Sequence, residues 1–207
     1  MITTDRDQVI KRLQLSPAAV EKLDRYVELL EAEQTKMNLV GPSTLPAVWT
    51  RHILDSAQLF SLFLPSDHVI LDLGSGAGFP ALVLAAMDTD RKYVFHLVES
   101  DGKKSAFLNK VIKICDLNAE VHNQRIEQMK LLNVDLVTAR ALAPLDKLIK
   151  YAFPFLQTKV RCLFMKGVKA EEELTQALKK YRFNVQKIQS ISSDEGTILL
   201  LSGVKKK

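Results

Sequence analysis

Cysteine is scarce in this chain: Cys115 and Cys162 are the only two among 207 residues. Both sit inside apolar helix and strand patterns. They read as buried thiols of a reducing compartment, which excludes a disulfide framework and a cysteine metal cluster. No apolar run approaches the roughly 20 residues that span a bilayer, so no membrane association is expected. The segment Met1-Ile2-Thr3-Thr4-Asp5-Arg6-Asp7 has neither the basic start nor the apolar core of a signal peptide, and a cytoplasmic protein is expected. The four histidines show no ligand spacing along the chain, so no metal is expected. Repeats and low-complexity linkers are missing. No helix pattern has a surplus apolar face, and a monomer is expected.

What is present is ordinary globular composition, 47% hydrophobic and 26% charged, at a length that buries a real core. The net charge of +5 is unevenly placed. Residues 1–66 hold 7 basic and 8 acidic residues, whereas the remainder holds 22 basic and 16 acidic. An excess confined to residues 67–207 favours a polyanionic partner such as nucleic acid.

The chain is organised around Val69-Ile70-Leu71-Asp72-Leu73-Gly74-Ser75-Gly76-Ala77-Gly78-Phe79-Pro80. A short apolar strand breaks into glycines at every second position and resumes as a helix with proline near its first turn. Glycine permits a sharp turn and close approach of a ligand, and the helix start offers free N–H groups. A dinucleotide fingerprint would read G-x-G-x-x-G/A. Here its third position falls on Phe79 and Gly78 comes one residue early, which disfavours a dehydrogenase. The G-x-G-x-G spacing after Asp72 resembles the first motif of class I methyltransferases, which bind S-adenosylmethionine. Asp72, Gly74, Gly76 and Gly78 are therefore candidate cofactor residues. The next strand, Tyr93–Val98, ends at Glu99, 21 residues beyond Gly78. That is close to the offset of about 20 at which an acidic residue meets ribose hydroxyls.

Before this turn lies a helical cap, residues 1–66. Ser16-Pro17 starts a helix running to about Glu33, with Val20, Leu23, Val27 and Leu30 on one face. A further helix, capped by Ser43 or Thr44, presents Leu45, Trp49, Ile53, Phe60 and Phe63 to a core, and Arg51 and Asp55 read as an exposed pair one turn apart. After it, residues 67–207 alternate strand and helix, which predicts a mostly parallel sheet. Phe183–Ile191 and Thr197–Leu201 close it as an antiparallel hairpin, and Lys205-Lys206-Lys207 reads as a frayed, solvated tail. The expected fold is α/β: a Rossmann-like class I methyltransferase core with an antiparallel C-terminal hairpin and an N-terminal helical cap.

Several ordered segments then resemble one family. They are Asn38-Leu39-Val40, Arg51-His52-Ile53-Leu54-Asp55-Ser56, Asp72 to Pro80, Val98-Glu99-Ser100 with Lys103-Lys104 and Phe107-Leu108, Arg125-Ile126-Glu127, Ala139-Arg140-Ala141-Leu142-Ala143-Pro144-Leu145, and Lys166-Gly167. Over nearly its whole length the chain resembles the ribosomal RNA small subunit methyltransferase G family, also called glucose-inhibited division protein B. Ala81 departs from the pattern, since family members usually follow the proline with glycine. The resemblance implies methylation of N7 of one guanine in a decoding-region loop of 16S ribosomal RNA, with S-adenosylmethionine as methyl donor. It implies cofactor contacts at Gly74, Phe79, Ile126, Glu127 and Arg140. Its partner is 16S ribosomal RNA or the small ribosomal subunit.

Guanine N7 carries an exposed lone pair and no proton, so no general base is expected and none of the usual dyads is visible. Arg140 and Lys166, at the carboxyl ends of strands, are the candidate catalytic residues that position the guanine or its phosphates. Arg140 could instead pair with a carboxylate such as Asp72 or Glu99. Arg51, His52 and Asp55 are expected to shape the acceptor side. The competing readings are a class I methyltransferase acting on a protein or small molecule, and a nucleotide-sensing protein without turnover.

Overall fold

In the computed structural model, which describes residues 5–157 and 159–207, seven strands form one sheet in the order β3-β2-β1-β4-β5-β7-β6. The segment Met1–Thr4, part of the stretch read above for a leader, lies outside the described residues. The strands are β1 (Val69–Leu73), β2 (Val94–Glu99), β3 (Ala119–Asn123), β4 (Leu136–Arg140), β5 (Arg161–Lys166), β6 (Tyr181–Gln189) and β7 (Thr197–Lys206). The first five are parallel, and β7 runs antiparallel between β5 and β6. The order reverses beside β1, whose neighbours are β2 and β4. In open sheets of this kind the crevice at such a reversal, beyond the carboxyl ends of the strands, is where ligands bind. Leu73, Glu99, Arg140 and Lys166 all stand at those ends.

The crossovers are helical: α4 (Ala81–Met87), α5 (Gly102–Ile114), α6 (Leu145–Ala152) and α7 (Ala170–Lys180). Asp101 caps α5 by accepting from the backbone N–H groups of Lys103 and Lys104. Two apolar clusters cover the two faces of the sheet. One joins α4, α5 and the cap, and the other lies against α6 and α7. Buried residues of α1 (Asp5–Leu13) and α2 (Pro17–Gln34), among them Val9, Leu23 and Leu30, belong to the first cluster together with Ile70, Leu82 and Phe107. Cap and sheet thus share one core. Cys115 and Cys162 are free and buried, as their apolar patterns predict.

Three expectations need correction. The helix expected after Gly41 is a succession of different turns: 3-10 over Pro42–Ala47, π over Trp49–Leu54, α3 (Asp55–Ala57), then 3-10 over Gln58–Leu62. Pro46 removes an N–H donor from a regular ladder. Trp49 and Ile53 are buried as expected, but Leu45, Phe60 and Phe63 are only partly so. Neither Ser43 nor Thr44 caps this run; Gly41 holds the cap position without a side-chain bond. The C-terminal lysines are not frayed. Lys205 and Lys206 pair with Arg182 and Tyr181, and the Lys207 N–H donates to the Lys180 carbonyl. Ladder pairing runs through the backbone, so a basic side chain facing water does not end it.

Candidate active site

The turn after β1 is held open from several sides. Gly74, Gly76 and Gly78 have φ of 66°, 56° and 104°, values that side-chain-bearing residues rarely adopt. A Cβ at Gly74 would stand 2.5 Å from Leu142 Cδ1, whereas one at Gly76 would meet nothing nearer than the Gly74 carbonyl at 3.9 Å. Gly74 is therefore a packing requirement and Gly76 faces open space. The Tyr26 hydroxyl of α2 donates to the Ala77 carbonyl at 2.6 Å, tying the cap to the turn. Glu99 reaches across from β2: one carboxylate oxygen accepts from the Gly76 N–H at 2.9 Å, the other from the Asp101 N–H at 2.8 Å.

Seven of the expected residues, Gly74, Gly76, Phe79, Glu99, Ile126, Glu127 and Arg140, line one cleft of about 460 Å³. Asp72 and Gly78 are not among its lining residues. Gly78 is packed against Leu82 and Tyr26. Asp72 is 1% exposed beneath the turn, where the Thr138 hydroxyl donates to Oδ1 at 2.7 Å and Oδ2 has no hydrogen-bond partner among the described residues. Burial pushes its carboxyl up to about 7, with the charge of Glu99 adding to the effect.

Arg140 is expected at the cleft, but its partner is neither Asp72 nor Glu99. Its Nε lies 3.1 Å from Asp55 Oδ2, so Asp55 reaches Arg140 from the cap. One Nη2 bond goes to the Arg51 carbonyl at 3.1 Å and another to His52 Nδ1 at 2.8 Å. A guanidinium only donates, so Nδ1 is the unprotonated nitrogen of His52. His52 Nε2–H then donates to the Thr44 hydroxyl at 2.7 Å, and that hydroxyl donates to the Gly41 carbonyl at 2.7 Å. Burial lowers the His52 pKa to about 4, and the neighbouring Arg140 and Arg51 add to this, so the ring is neutral at pH 7. The neutral ring stacks on Phe79 at 4.8 Å between centroids, and the Arg140 guanidinium lies 5.5 Å from the same phenyl centroid. Next to Arg140, Ala141 has a φ of 53°, a strained value for a residue with a Cβ.

Lys166 lies elsewhere. It lines a second cavity of about 450 Å³, which shares Arg140 and Ala141 with the cleft and adds Arg51, Asp55 and Lys169. Its ammonium is 2.6 Å from Glu173 and 2.9 Å from the Ala143 carbonyl. The expected positioning residue is thus itself held in place. Sequence reasoning missed Tyr26, whose tyrosine sits on the buried face of α2 where apolar spacing suggested only core. It also missed Leu142, although that residue lies inside one of the quoted family segments.

The cleft fits S-adenosylmethionine. Its size is within the usual range for small-molecule sites. Phe79, Ile126 and Leu142 offer apolar surface, Gly76 leaves room for close approach, and Glu99 and Glu127 offer acceptors for hydroxyl and amino groups.

Comparison with known proteins agrees. A family model for rRNA small subunit methyltransferase G (GidB) matches residues 19–199. A ribosomal RNA small subunit methyltransferase G from Paramagnetospirillum magneticum is 44% identical over 200 residues, covering 97% of this chain and 96% of that protein. Its counterpart from Rhodospirillum rubrum is 43% identical over 190 residues, covering 92% and 93%. Among solved structures, an O-methyltransferase from Bacillus cereus in complex with SAH superposes with a TM-score of 0.62 at 13% identity, covering 97% of this chain and 98% of that one. A SAM-dependent methyltransferase from Aquifex aeolicus gives 0.60 at 14% identity, covering 85% and 97%. The structural matches establish the methyltransferase fold. The sequence matches, running almost end to end, establish the family: this chain belongs to the rRNA small subunit methyltransferase G family.

Proposed function

We propose that this protein transfers the methyl group of S-adenosylmethionine to N7 of a guanine in 16S ribosomal RNA. The observation that carries the reading is the cleft at the reversal of strand order, in which the glycine turn, Glu99, Ile126, Glu127 and Arg140 converge. In this reading Gly74, Gly76 and Phe79 form its floor, Glu99 accepts from ribose hydroxyls while holding the Gly76 N–H, and Ile126 and Glu127 flank the adenine.

Bound S-adenosylmethionine supplies an activated methyl and a thioether leaving group. The chain's own residues then need only to align the acceptor and exclude water, because guanine N7 presents a lone pair and loses no proton. Holding reactants in line at about 3–3.5 Å accounts for several kcal/mol of a barrier. Arg140 stands at the junction of the two cavities, held by Asp55, His52 and the Arg51 carbonyl, and offers a rigid donor to guanine O6 or a phosphate. Donation to N7 itself would block the lone pair. Lys166 and Lys169 line the acceptor-side cavity with Arg51, and they suit a phosphate backbone.

The division into a cap, residues 1–66, and a cofactor-binding core, residues 67–207, belongs to the same proposal. The cap brings Arg51, His52 and Asp55 to the acceptor side, and the core provides the cleft. So do a monomeric state and a cytoplasmic location. Among the described residues no helix is long and apolar enough to cross a membrane.

The test is to incubate the protein with methyl-labelled S-adenosylmethionine and small ribosomal subunits from cells lacking it, and then to map the label. Label on N7 of one guanine in 16S RNA is the expected result. Label confined to protein, or absent despite measurable cofactor binding, overturns the acceptor assignment.

A further inference from the structure

Parallel pairing of β2 with β3 joins three ligand-type side chains that the linear sequence keeps apart. His96 is the register partner of Glu120, and Val98 is the partner of His122. Register partners share a face of a sheet, as do residues two apart on one strand. His96, Glu120 and His122 therefore project from one face by construction. Phe95 and Leu97, which flank His96, belong to the cluster that packs on Phe107, Leu108 and Val111 of α5. The three ligand-type residues are thus on the face away from α5. There the chain continues from β3 to β4 through one 3-10 turn, Ile126–Gln128. The His96 side chain is 12% exposed and Glu120 is 65% exposed, so the group opens to water at the edge of the sheet.

We propose that His96, Glu120 and His122 bind a divalent transition ion of the zinc class. His96 Nδ1 and His122 Nε2 are 2.9 Å apart, and His96 Nδ1 and Glu120 Oε2 are 3.7 Å apart. All three ligand atoms lie within 4.8 Å of one another. Two imidazole nitrogens approach this closely only with a positive hydrogen or ion between their lone pairs. Without metal, one ring N–H donates to the other nitrogen; a cation takes the place of that shared proton. Tetrahedral ligands at the usual zinc–nitrogen length of about 2.0–2.1 Å stand about 3.3 Å apart, which falls between the two separations found here. Two imidazoles and one carboxylate select Zn²⁺, Co²⁺, Ni²⁺ or Cu²⁺ over Mg²⁺ and Ca²⁺, which prefer all-oxygen sets. Three protein ligands leave a fourth position for water.

The site is separate from the cofactor cleft. His96 precedes Glu99 by three residues, about 10 Å along an extended strand. The ion would clamp the edge strand β3 to β2. Because the clamp exists only in the folded chain, binding would raise the unfolding temperature.

The experiment uses the full chain, stripped with a chelator and titrated with Zn²⁺ by calorimetry and with Co²⁺ by visible absorption. The expected result is one equivalent bound, ligand-field bands of low-coordinate Co²⁺, a rise in melting temperature with Zn²⁺, and no response to Mg²⁺. His122→Gln should abolish the one-equivalent step, Glu120→Gln should weaken it by about tenfold or more, and His68→Gln should leave it intact. Glu120 is exposed, so its variant keeps the fold and carries the test should a histidine variant not fold. Failure of the wild type to bind one equivalent at about 100 μM Zn²⁺ overturns the proposal. So does equal binding by Glu120→Gln and the wild type.

Discussion

The two cavities that meet at Arg140 are nearly equal in size, about 460 and 450 Å³, but they are built differently. The first cleft takes its floor from one turn, Gly74 to Ala77 and Phe79, and completes itself from strand ends and from Leu39, Val40, Gly41 and His52 of the cap. Its neighbour has a contiguous stretch of its own, Met165 to Lys169, which runs on from the end of β5 rather than through a glycine turn. It is assembled from the Arg51–Asp55 turn, the end of β4, the stretch after β5 and the hairpin around Ser192 and Glu195. Their charges differ too. In the second cavity Asp55 pairs with Arg140 and Glu173 with Lys166. Beneath the first, the Asp72 carboxyl is buried without a cation. In the proposed reading, one glycine turn specifies much of the cofactor side, whereas the acceptor side also depends on the C-terminal hairpin and the cap being brought together by the whole fold.

The change that breaks the comparison most completely is Gly74→Val. It places a β-branched residue at a φ of 66° with its Cβ 2.5 Å from Leu142. Backbone strain and overpacking together cost about 2–4 kcal/mol. S-adenosylmethionine binding, followed by calorimetry, should fall below detection while circular dichroism shows a folded chain. Retained affinity would remove the turn from the site.

Asp72 sharpens the contrast in charge. Its folded pKa of about 7 lies above the unfolded value of 3.8, so the folded chain holds a proton that the unfolded chain has lost between those limits. Stability contributed by this group is therefore full below about pH 4, falls as pH rises, and levels off above about 7. Relative to Asp72→Asn, which keeps the acceptor for Thr138 but does not titrate, the wild type should lose up to about 4 kcal/mol across that window. Urea unfolding of both proteins at several pH values measures it. A pH-independent difference would mean that Asp72 keeps an ordinary carboxylate pKa.

These contrasts follow what could be read in the sequence. The glycine turn, Glu99 at the end of β2, and the parallel sheet ending in a hairpin are local patterns, and the structure has them where the pattern predicts. Asp55 was expected beside Arg51 because one helical turn separates them; the π turn and the placement of the cap against β4 give it Arg140 instead. Tyr26 and Ala77 are 51 residues apart, and His96 and His122 are 26 apart. Contacts at such separation depend on register and packing, which no spacing rule supplies. The tail shows the opposite error: three lysines look solvated, and they are, but their backbone still extends β7.

Arg140→Ala should damage both cavities. It removes three interactions of a charged group and leaves Asp55 without its cation, and loss of bonds to a charged group costs about 1.5–3 kcal/mol. Cofactor affinity should drop by about tenfold or more, and methyl transfer to small subunits further still. Single-turnover rates at saturating cofactor separate the two. An unchanged rate at saturation would confine Arg140 to the cofactor side.

Lys166→Met tests the second cavity alone, and its effect should be the smallest. The ammonium lines that cavity and is absent from the lining of the cleft, so the dissociation constant for S-adenosylmethionine should stay within about twofold of the wild type. The efficiency of methyl transfer to small subunits should fall by about tenfold, the equivalent of about 1.4 kcal/mol for losing a charged donor. Methionine keeps the length of the aliphatic stem, so the loss reports on charge. Removing the cation also leaves Glu173 unpaired, although its Oε2 still accepts from the Leu145 N–H at 2.8 Å. Glu173→Gln in the Lys166→Met background distinguishes the two consequences. If the RNA defect came only from an unbalanced carboxylate, the second change would restore activity. If Lys166 holds a phosphate or fixes the Ala143 carbonyl beside Arg140, the defect would persist, and the acceptor side of the comparison would rest on a named donor.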